Sequence, residues 1–402
     1  MWEVKSLVDV TDLITCGVAK RPEYVDKGVP FLSAKNVKNG RVIWSDHRYI
    51  TKDMHQFLTK NNKPMIGDIL YTRVGSFGEA AIIEDDFDFS IFVSLTLIKP
   101  KHKILNNAFL KYYLNSSNVK SLAKNSVSSS GVGNLNVGSV RKFPVPIPPL
   151  EEQKRIVGVL DEAFAGIDRA IANTEKNLQN ARDLFESYLN NIFTQKGAGW
   201  VDNTLADIAI DFGRGKSKHR PRNDPKLYGG KFPFIQTGDV RNSGHFIKGY
   251  SQTYNENGLA QSRLWPKGTL CITIAANIAE TGILTFDACF PDSIIGLVVD
   301  EKKYSIDFIE YCLQYTKVRL QAAGKGSAQD NINLATFKNW MFSFPNIDEQ
   351  IKIVEVLNRI DEQSKMLVKT YNKKLTALKE LKQSLLQKAF AGELTSDMQE
   401  AA

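Results

Sequence analysis

The chain has 402 residues, 43% of them apolar, and a formal net charge of +8 with an isoelectric point near 9.0. That is ample material for two cores, and the excess of lysine and arginine favours a polyanionic partner. Its four cysteines (Cys16, Cys271, Cys289, Cys312) show no C-x-x-C spacing, which argues against a zinc site or redox motif, and no apolar run approaches the ~18 residues of a membrane span, so a soluble, cytoplasmic chain is expected.

In chain order, the N-terminal half mixes strand-like segments (residues 92–98) with a helical one (residues 109–122) and many turns. Pro148-Pro149 then opens a long helical pattern. Apolar or small residues recur at steps of three and four: Ile156, Leu160, Ala163, Ile167, Ile171, Leu178, Ala181, Phe185, Tyr188 and Ile192, with Thr174 filling the one gap. That is the period of an amphipathic helix, close enough to a heptad for a coiled coil. Gly197 and Gly199 end this arm. The second half repeats the order, with a strand at residues 294–299, a helix at 306–321 and Pro345 before a second arm. Its stripe is Ile353, Leu357, Ile360, Leu367, Tyr371, Leu375, Leu378, Leu381, Leu385 and Ala389, and Gly392 ends it. At 1.5 Å rise per residue each arm would span about 60 Å.

The arms are copies of one another. Residues 152–193 align without a gap on 349–390, a constant shift of 197, with 12 of 42 positions identical from Glu152-Gln153 and Glu349-Gln350 to Phe193 and Phe390. A period this long exceeds the roughly 20–50 residues of a solenoid unit, so it marks a duplicated domain with its helix. The flanking segments repeat more weakly. Trp2, Leu7, Asp9 and Val10 match Trp200, Leu205, Asp207 and Ile208; Pro30-Phe31-Leu32 matches Pro233-Phe234-Ile235; Gly67-Asp68-Ile69-Leu70 matches Gly268-Thr269-Leu270-Cys271; and Ser130 with Asn134-Leu135-Asn136 matches Ser327 with Asn331-Ile332-Asn333. Both halves read as α/β or α+β domains of about 145 residues. The boundaries expected are domains at 1–147 and 197–344, helices at 148–196 and 345–394, and a tail at 395–402. Neither arm can bury its stripe alone, so the two should pack together. Because the second arm starts where the first delivers the chain, the pair should be antiparallel, with the domains near opposite ends and related by a pseudo-two-fold axis.

Three stretches imitate catalytic motifs. Gly215-Lys216-Ser217 resembles the end of a phosphate-binding loop, but the required upstream glycine is Ile210. Asp292, Asp300 and Lys302 could form the carboxylate–lysine set of a metal-dependent nuclease; the first half has no counterpart, and a solvated turn is the plainer account. Phe212-Gly213-Arg214-Gly215 lacks the pattern of a methyl-donor site. The five histidines form no metal pair or triad. No catalytic constellation and no metal site are expected, and two loop-rich domains without chemistry read as binding modules.

The binding candidates are polar loops. Residues 212–222 carry Arg214, Lys216, Lys218, Arg220 and Arg222 with no acid among them, a cluster suited to phosphate contacts or, more plainly, a solvated basic loop. Gln236, Asp239, Arg241 and Asn242 follow the second Pro-Phe anchor; Ser33, Lys35, Asn36 and Lys38 follow the first. Asn, Gln and Arg at loop tips can read base edges bidentately, and turn polarity is the competing account. Arg73 and Ser76 lie in a Gly-rich loop after a strand-like segment, and Asn277 occupies the matching place in the second half. Arg73 and Asn277 are the leading candidates for base contact.

The Pro148-Pro149-Leu150-Glu151-Glu152-Gln153-Lys154-Arg155-Ile156 helix start, the Gly67-Asp68-Ile69-Leu70 strand followed by Arg73-x-Gly75-x-x-Gly78, and Lys388 to Leu394 with its Ala389-Phe390-Ala391-Gly392-Glu393-Leu394 close together resemble the specificity (S) subunit of type I restriction–modification systems, over essentially the whole chain. The resemblance implies two target recognition domains, each reading half of a bipartite, asymmetric site on double-stranded DNA, with the helices setting the spacer and docking the methyltransferase subunits. It implies one copy of this chain with two methyltransferase (M) subunits and two restriction (R) subunits in a bacterial or archaeal cytoplasm. S-adenosylmethionine, ATP and Mg would reside on those partners and none on this chain. One departure is that the second helix lacks the doubled proline. A non-catalytic coiled-coil adaptor that binds proteins is the alternative.

Overall fold

In the computed structural model, residues 2–75, 77–127, 133–219, 221–275, 278–324 and 334–394 are described. Ser76, Arg220, Asn277 and residues 395–402 therefore lie outside the described residues. Two compact units divide the chain: Met1–Glu175 with Lys373–Ala402, and Lys176–Asn372.

The first unit runs β1 (Glu3–Ser6), β2 (Thr11–Cys16), β3 (Val29–Leu32), β4 (Val37–Lys38), β5 (Arg41–Val42), β6 (Arg48–Ile50), α1 (Lys52–Thr59), β7 (Ile69–Thr72), β8 (Ala80–Ile82), β9 (Ser90–Ile91), β10 (Leu95–Pro100), α2 (Asn107–Leu114), α3 (Ser117–Asn125), α4 (Val137–Arg141), β11 (Pro144–Ile147) and the start of α5 (Leu150–Thr194). The main sheet, β2-β10-β7-β8, is antiparallel. Strand side chains alternate between faces, and the core follows that rule. Ile69, Tyr71 and Ile98 pack with Phe109, Leu110, Leu114, Ile156 and Leu160, whereas Leu70, Leu95 and Leu97 face Leu32 and Phe89 on the other side. The second layer is the small sheet β6-β3-β9.

The second unit repeats this frame: β12 (Val201–Thr204), α6 (Leu205–Ile208), β13 (Ala209–Arg214), β14 (Tyr228–Phe234), α7 (Thr237–Arg241), β15 (Phe246–Ile247), β16 (Gln252–Tyr254), α8 (Glu256–Ala260), β17 (Leu264–Trp265), β18 (Leu270–Thr273), β19 (Thr281–Leu284), β20 (Ala288–Cys289), β21 (Ile294–Val299), α9 (Ile306–Gly324), α10 (Leu334–Asn339), β22 (Met341–Phe344) and α11 (Ile347–Ala391). The sheet β13-β21-β18-β19 matches β2-β10-β7-β8, and β12-β22 matches β1-β11. The units differ at several places: α2 and α3 stand where the second unit has the single helix α9, β17 adds a strand to the second layer, and the segment after the second-layer strand diverges. After β3 the one-turn helix Ala34–Asn36 leads into the β4–β5 hairpin, whereas after β14 the matching α7 leads into β15, a fifth strand parallel to β19.

The repeated Glu-Gln has a structural cause. Gln153 is fully buried in the first turn of α5; its Oε1 accepts from the Asn106 N–H (2.8 Å), and its Nε2 donates to the carbonyls of Ile104 (3.0 Å) and Pro148 (2.8 Å). Gln350 does the same in α11, accepting from Ser305 N–H (2.9 Å) and donating to Lys303 and Pro345 carbonyls. Each glutamine ties its long helix to the turn that starts α2 or α9. Farther along, Tyr112 donates to Asp161, and Tyr311 to Asn358, at equivalent places. The repeat closes on phenylalanine for a related reason: in the first unit Phe390 packs on Phe109 (5.2 Å between centroids), and in the second Phe193 packs on Phe308 (5.4 Å). The missing proline of α11 is replaced by Asn346, whose Oδ1 accepts from Glu349 N–H (3.0 Å) as an N-cap. Gly392, at φ +81°, closes α11, with Glu393 N–H on the Lys388 carbonyl.

Within each unit the long helices run antiparallel. In the first, Leu386 and Ala389 join Ile156 and Leu160 in the core, and Lys382 pairs with Asp168 farther along. In the second, Leu357 packs with Leu189 and Phe193, and Ser364 Oγ donates to the Ala181 carbonyl. Ile156, Leu160, Ile167, Leu178 and Leu357 are buried; Ile171, Phe185, Ile192, Ile353, Ile360, Leu375, Leu378 and Leu385 are half-buried. Three expected stripe positions are exposed instead: Tyr188 (37%), Leu367 (37%) and Leu381 (46%). A helix of 3.6 residues per turn drifts against a strict heptad. The buried face therefore passes to Leu189 and Phe193 in α5, and through Ser364 and Val368 in α11.

Two segments differ from expectation. The helix expected at 109–122 is two, broken where the Asn115 amide bridges both backbone groups of Ala80 on β8 and Ser116 begins α3. The strand expected at 92–98 begins at Leu95, because residues 92–94 turn between β9 and β10.

Candidate nucleic-acid interface

The two polar segments after the Pro-Phe anchors turn out to be the same device. Ser33 and Asn36 form a capping box around the one-turn helix Ala34–Asn36, and Gln236 and Asp239 form one on α7. Asn36 is 1% exposed: its Oδ1 accepts from Ser33 N–H, and its Nδ2 donates to the Ile43 and Ser45 carbonyls, all at 3.0 Å. Asp239 accepts from the Gln236 N–H at 2.8 Å, and Gln236 Nε2 donates to Gln252. Asn36 therefore holds its loop rather than offering a free edge to a base, contrary to the sequence expectation. Lys35 pairs with Asp46 at 2.8 Å and holds that carboxyl below the usual range. Lys38 and Arg41, by contrast, stand exposed on either side of a two-residue hairpin tip, Asn39 (φ 52°) and Gly40 (φ 74°). Arg241 is exposed at the end of α7.

Arg73 is also corrected. It is 8% exposed, and its guanidinium is spent on the Leu135 carbonyl (2.8 Å), the Val93 carbonyl (3.0 Å) and Asn134 Oδ1 (3.0 Å). It staples the β7 loop to chain 62 residues away. The matching backbone position in the second unit, where the amide bonds the Ser293 carbonyl as that of Arg73 bonds Ser94, is the buried apolar Ile274. Both of the remaining candidates from these Gly-rich loops, Ser76 and Asn277, fall outside the described residues.

The basic loop after β13 keeps its character but loses part of its charge. Arg222 Nη2 donates to both carboxylate oxygens of Asp292 (2.7 and 3.0 Å), and Arg214 Nε donates to the Asp292 carbonyl (2.7 Å). His219 pairs with Asp224, whose carboxyl is held low by the Lys226 N–H and that imidazole. Lys216 and Lys218 remain exposed and have no ion pair among the described residues. The loop hangs from Gly215, where a Cβ would lie 2.2 Å from the Phe290 carbonyl oxygen; Gly17, at the same register on β2, would clash with the Ile91 carbonyl at 2.1 Å. The chain after Gly17 thus forms the counterpart loop, and it carries exposed Lys20, Arg21 and Lys27, together with Glu23 and Asp26. Arg48 lies 5.9 Å from the ring centroid of the exposed Tyr24 in this loop. Sequence inspection passed over Lys20 and Arg21, although extending the repeat from Gly215 back to Gly17 finds them.

The nuclease set does not assemble. Asp292 is paired with Arg222, Asp300 caps the Lys302 N–H, and the two lie beyond opposite ends of β21, whose six residues span about 20 Å. Among the described residues no group of three or more His, Cys, Asp or Glu side chains is placed to hold a metal ion. Cys271, Cys289 and Cys312 are buried, and burial pushes their thiols up, so they pack as apolar side chains. One titratable cluster is unique to the second unit. His245 sits between Glu310 (2.7 Å) and Asp307 (2.8 Å) and stacks on Tyr311. Burial alone would lower its pKa, but the two carboxylates outweigh that and raise it to about 9. No helix among the described residues is long and apolar enough to cross a membrane.

Comparison with known proteins agrees with this duplicated frame. The type I restriction enzyme StySPI specificity subunit of Salmonella potsdam is 22% identical, with 98% of this chain and 89% of that protein covered. The crystal structure of the HsdS subunit from Thermoanaerobacter tengcongensis superposes with a TM-score of 0.64 at 19% identity, covering 98% of this chain and 97% of that one. A chain from the structure on complex assembly and conformational transition of the type I R-M system reaches 0.75 at 18% identity, covering 98% of each. These structures share the fold. The model of the type I restriction modification DNA specificity domain matches residues 1–179 and again residues 198–377. Most of the chain is thus two consecutive copies of that domain, and the protein belongs to the type I restriction modification DNA specificity family.

Proposed function

We propose that the chain is the DNA-recognition subunit of a type I restriction–modification enzyme, and that each unit reads one half of a bipartite site. The observation that carries this is the duplication itself: two copies of a DNA specificity domain share one frame and differ in the segment that follows the second-layer strand. The reading assigns no bond-making step to this chain. Methyltransferase and restriction subunits are its partners, two of each around one copy of this chain, and S-adenosylmethionine, ATP and Mg belong to them. The long helices, 45 residues each, have lengths of about 68 Å. They bound the unread spacer at about 20 base pairs of 3.4 Å. The partner-binding adaptor loses its support because the matched family is a DNA specificity domain.

The test is co-expression with the cognate methyltransferase, followed by sequencing of methylated bases in host DNA. A bipartite motif, modified in both halves and lost when this chain is deleted, is expected. A stable, active methyltransferase complex that marks no such motif would return the adaptor reading.

A further inference from the structure

The two units, if they read different half-sites, provide an internal comparison. What differs between them can specify sequence. What is the same and exposed can serve something common to both half-sites, and on duplex DNA that common feature is the phosphate backbone. Among the segments that differ is the β4–β5 hairpin in one unit against β15 in the other. The exposed segment that is shared is the loop hung from Gly17 or Gly215. In both, the glycine sits at equivalent register against a carbonyl that excludes any Cβ, and a lysine follows three residues later, Lys20 or Lys218.

Charge pairing narrows the choice further. A cation already matched by a carboxylate in the protein neutralises little phosphate and releases few counterions. Arg222 and Lys35 are matched by Asp292 and Asp46. Lys20, Arg21, Lys216 and Lys218 are exposed and have no ion pair among the described residues. We propose that Lys20 with Arg21, and Lys216 with Lys218, are the sequence-independent phosphate contacts of the first and second units, held at one place in each by Gly17 and Gly215. This rests on the DNA-reading function above and assigns a division of labour within it.

The experiment uses the full chain in complex with its methyltransferase. Two double variants are made, Lys20→Ala/Arg21→Ala and Lys216→Ala/Lys218→Ala, with Lys→Gln and Arg→Gln versions that remove the charge but keep a polar side chain longer than alanine. Affinity for cognate and unrelated duplexes is measured from 50 to 200 mM salt. Each lost contact should lower the log–log salt slope by about 0.9. Each double variant should therefore lose about 12-fold less affinity than the parent over that fourfold range. The weakening should be equal on both duplexes, and the methylated motif should stay the same. An unchanged slope, with the parent showing strong salt dependence and the variants remaining assembled, overturns the assignment and leaves the DNA-reading function standing. A motif altered in one half-site also overturns it, by making these residues readers of bases. A parent complex with no salt-dependent affinity for any duplex removes the DNA-reading function, and the assignment with it.

Discussion

Replacing Gln153 by alanine should destabilise the first unit far more than an ordinary helix-surface substitution. The side chain is fully buried and makes three hydrogen bonds, at 2.8, 3.0 and 2.8 Å. Truncation leaves the Asn106 N–H and the Ile104 and Pro148 carbonyls without that partner, in a space where the helix start meets the α2 turn. A buried group left unsatisfied costs roughly 1–3 kcal/mol. Water entering the new space would recover part of that, so a loss of about 3–5 kcal/mol is expected. Gln153→Glu should be no better, because a carboxylate would face the two carbonyls. Hydrogen exchange read by mass spectrometry separates the units, which a single unfolding midpoint would blur. Peptides from α2 and β7 should exchange faster in Gln153→Ala, while those from α9 and β18 keep their rates; Gln350→Ala should give the mirror result. A loss below about 1 kcal/mol in Gln153→Ala would refute the assignment of the repeated glutamine to structure.

The second unit should lose stability in alkali. A folded-state pKa of about 9 against 6.5 means that His245 contributes fully below pH 6.5 and progressively less as pH rises through 9. The linkage is on the order of 3 kcal/mol, it should vanish in His245→Gln, and a flat profile from pH 6.5 to 9 in the parent would sink it. Gly17→Ala and Gly215→Ala each force a Cβ onto a backbone carbonyl, so each should cost about 3 kcal/mol in urea titration and displace its basic loop; near-neutral values would place the loops differently. Exchanging residues 1–143 for those of another family member should change one half of the methylated motif, and a change in both halves would contradict modular reading.

The long helices and the duplication were legible because each is written in local periodicity and in spacing along the chain. The binding loops were harder to read. Asn, Asp and Gln that cap a one-turn helix carry the same donors and acceptors as those that read a base. Nothing local in the sequence separates Asn36, turned inward, from Lys38, turned outward. Arg73 looked free because its partners, Leu135 and Asn134, lie about sixty positions away in the chain. The repeat marks Gln153, but a glutamine in the first turn of a helix is ordinarily solvated, so nothing in the sequence shows it as a buried clamp. Two signals do stand in the sequence: Asn39-Gly40, the strongest short hairpin signature, and Lys20-Arg21, placed by the register of Gly17 on Gly215.

The division of the chain into units has a consequence for synthesis. The second unit is continuous, Lys176–Asn372, whereas the first needs Lys373 onward to complete it. Leu386 and Ala389, 2% and 0% exposed, belong to the first unit's core. The half that leaves the ribosome first is therefore the last to close. At roughly 5–20 residues per second, about 200 further residues leave the apolar face of Phe109, Ile156 and Leu160 uncovered for about 10–40 s. During that interval the nascent chain is a natural client for a chaperone.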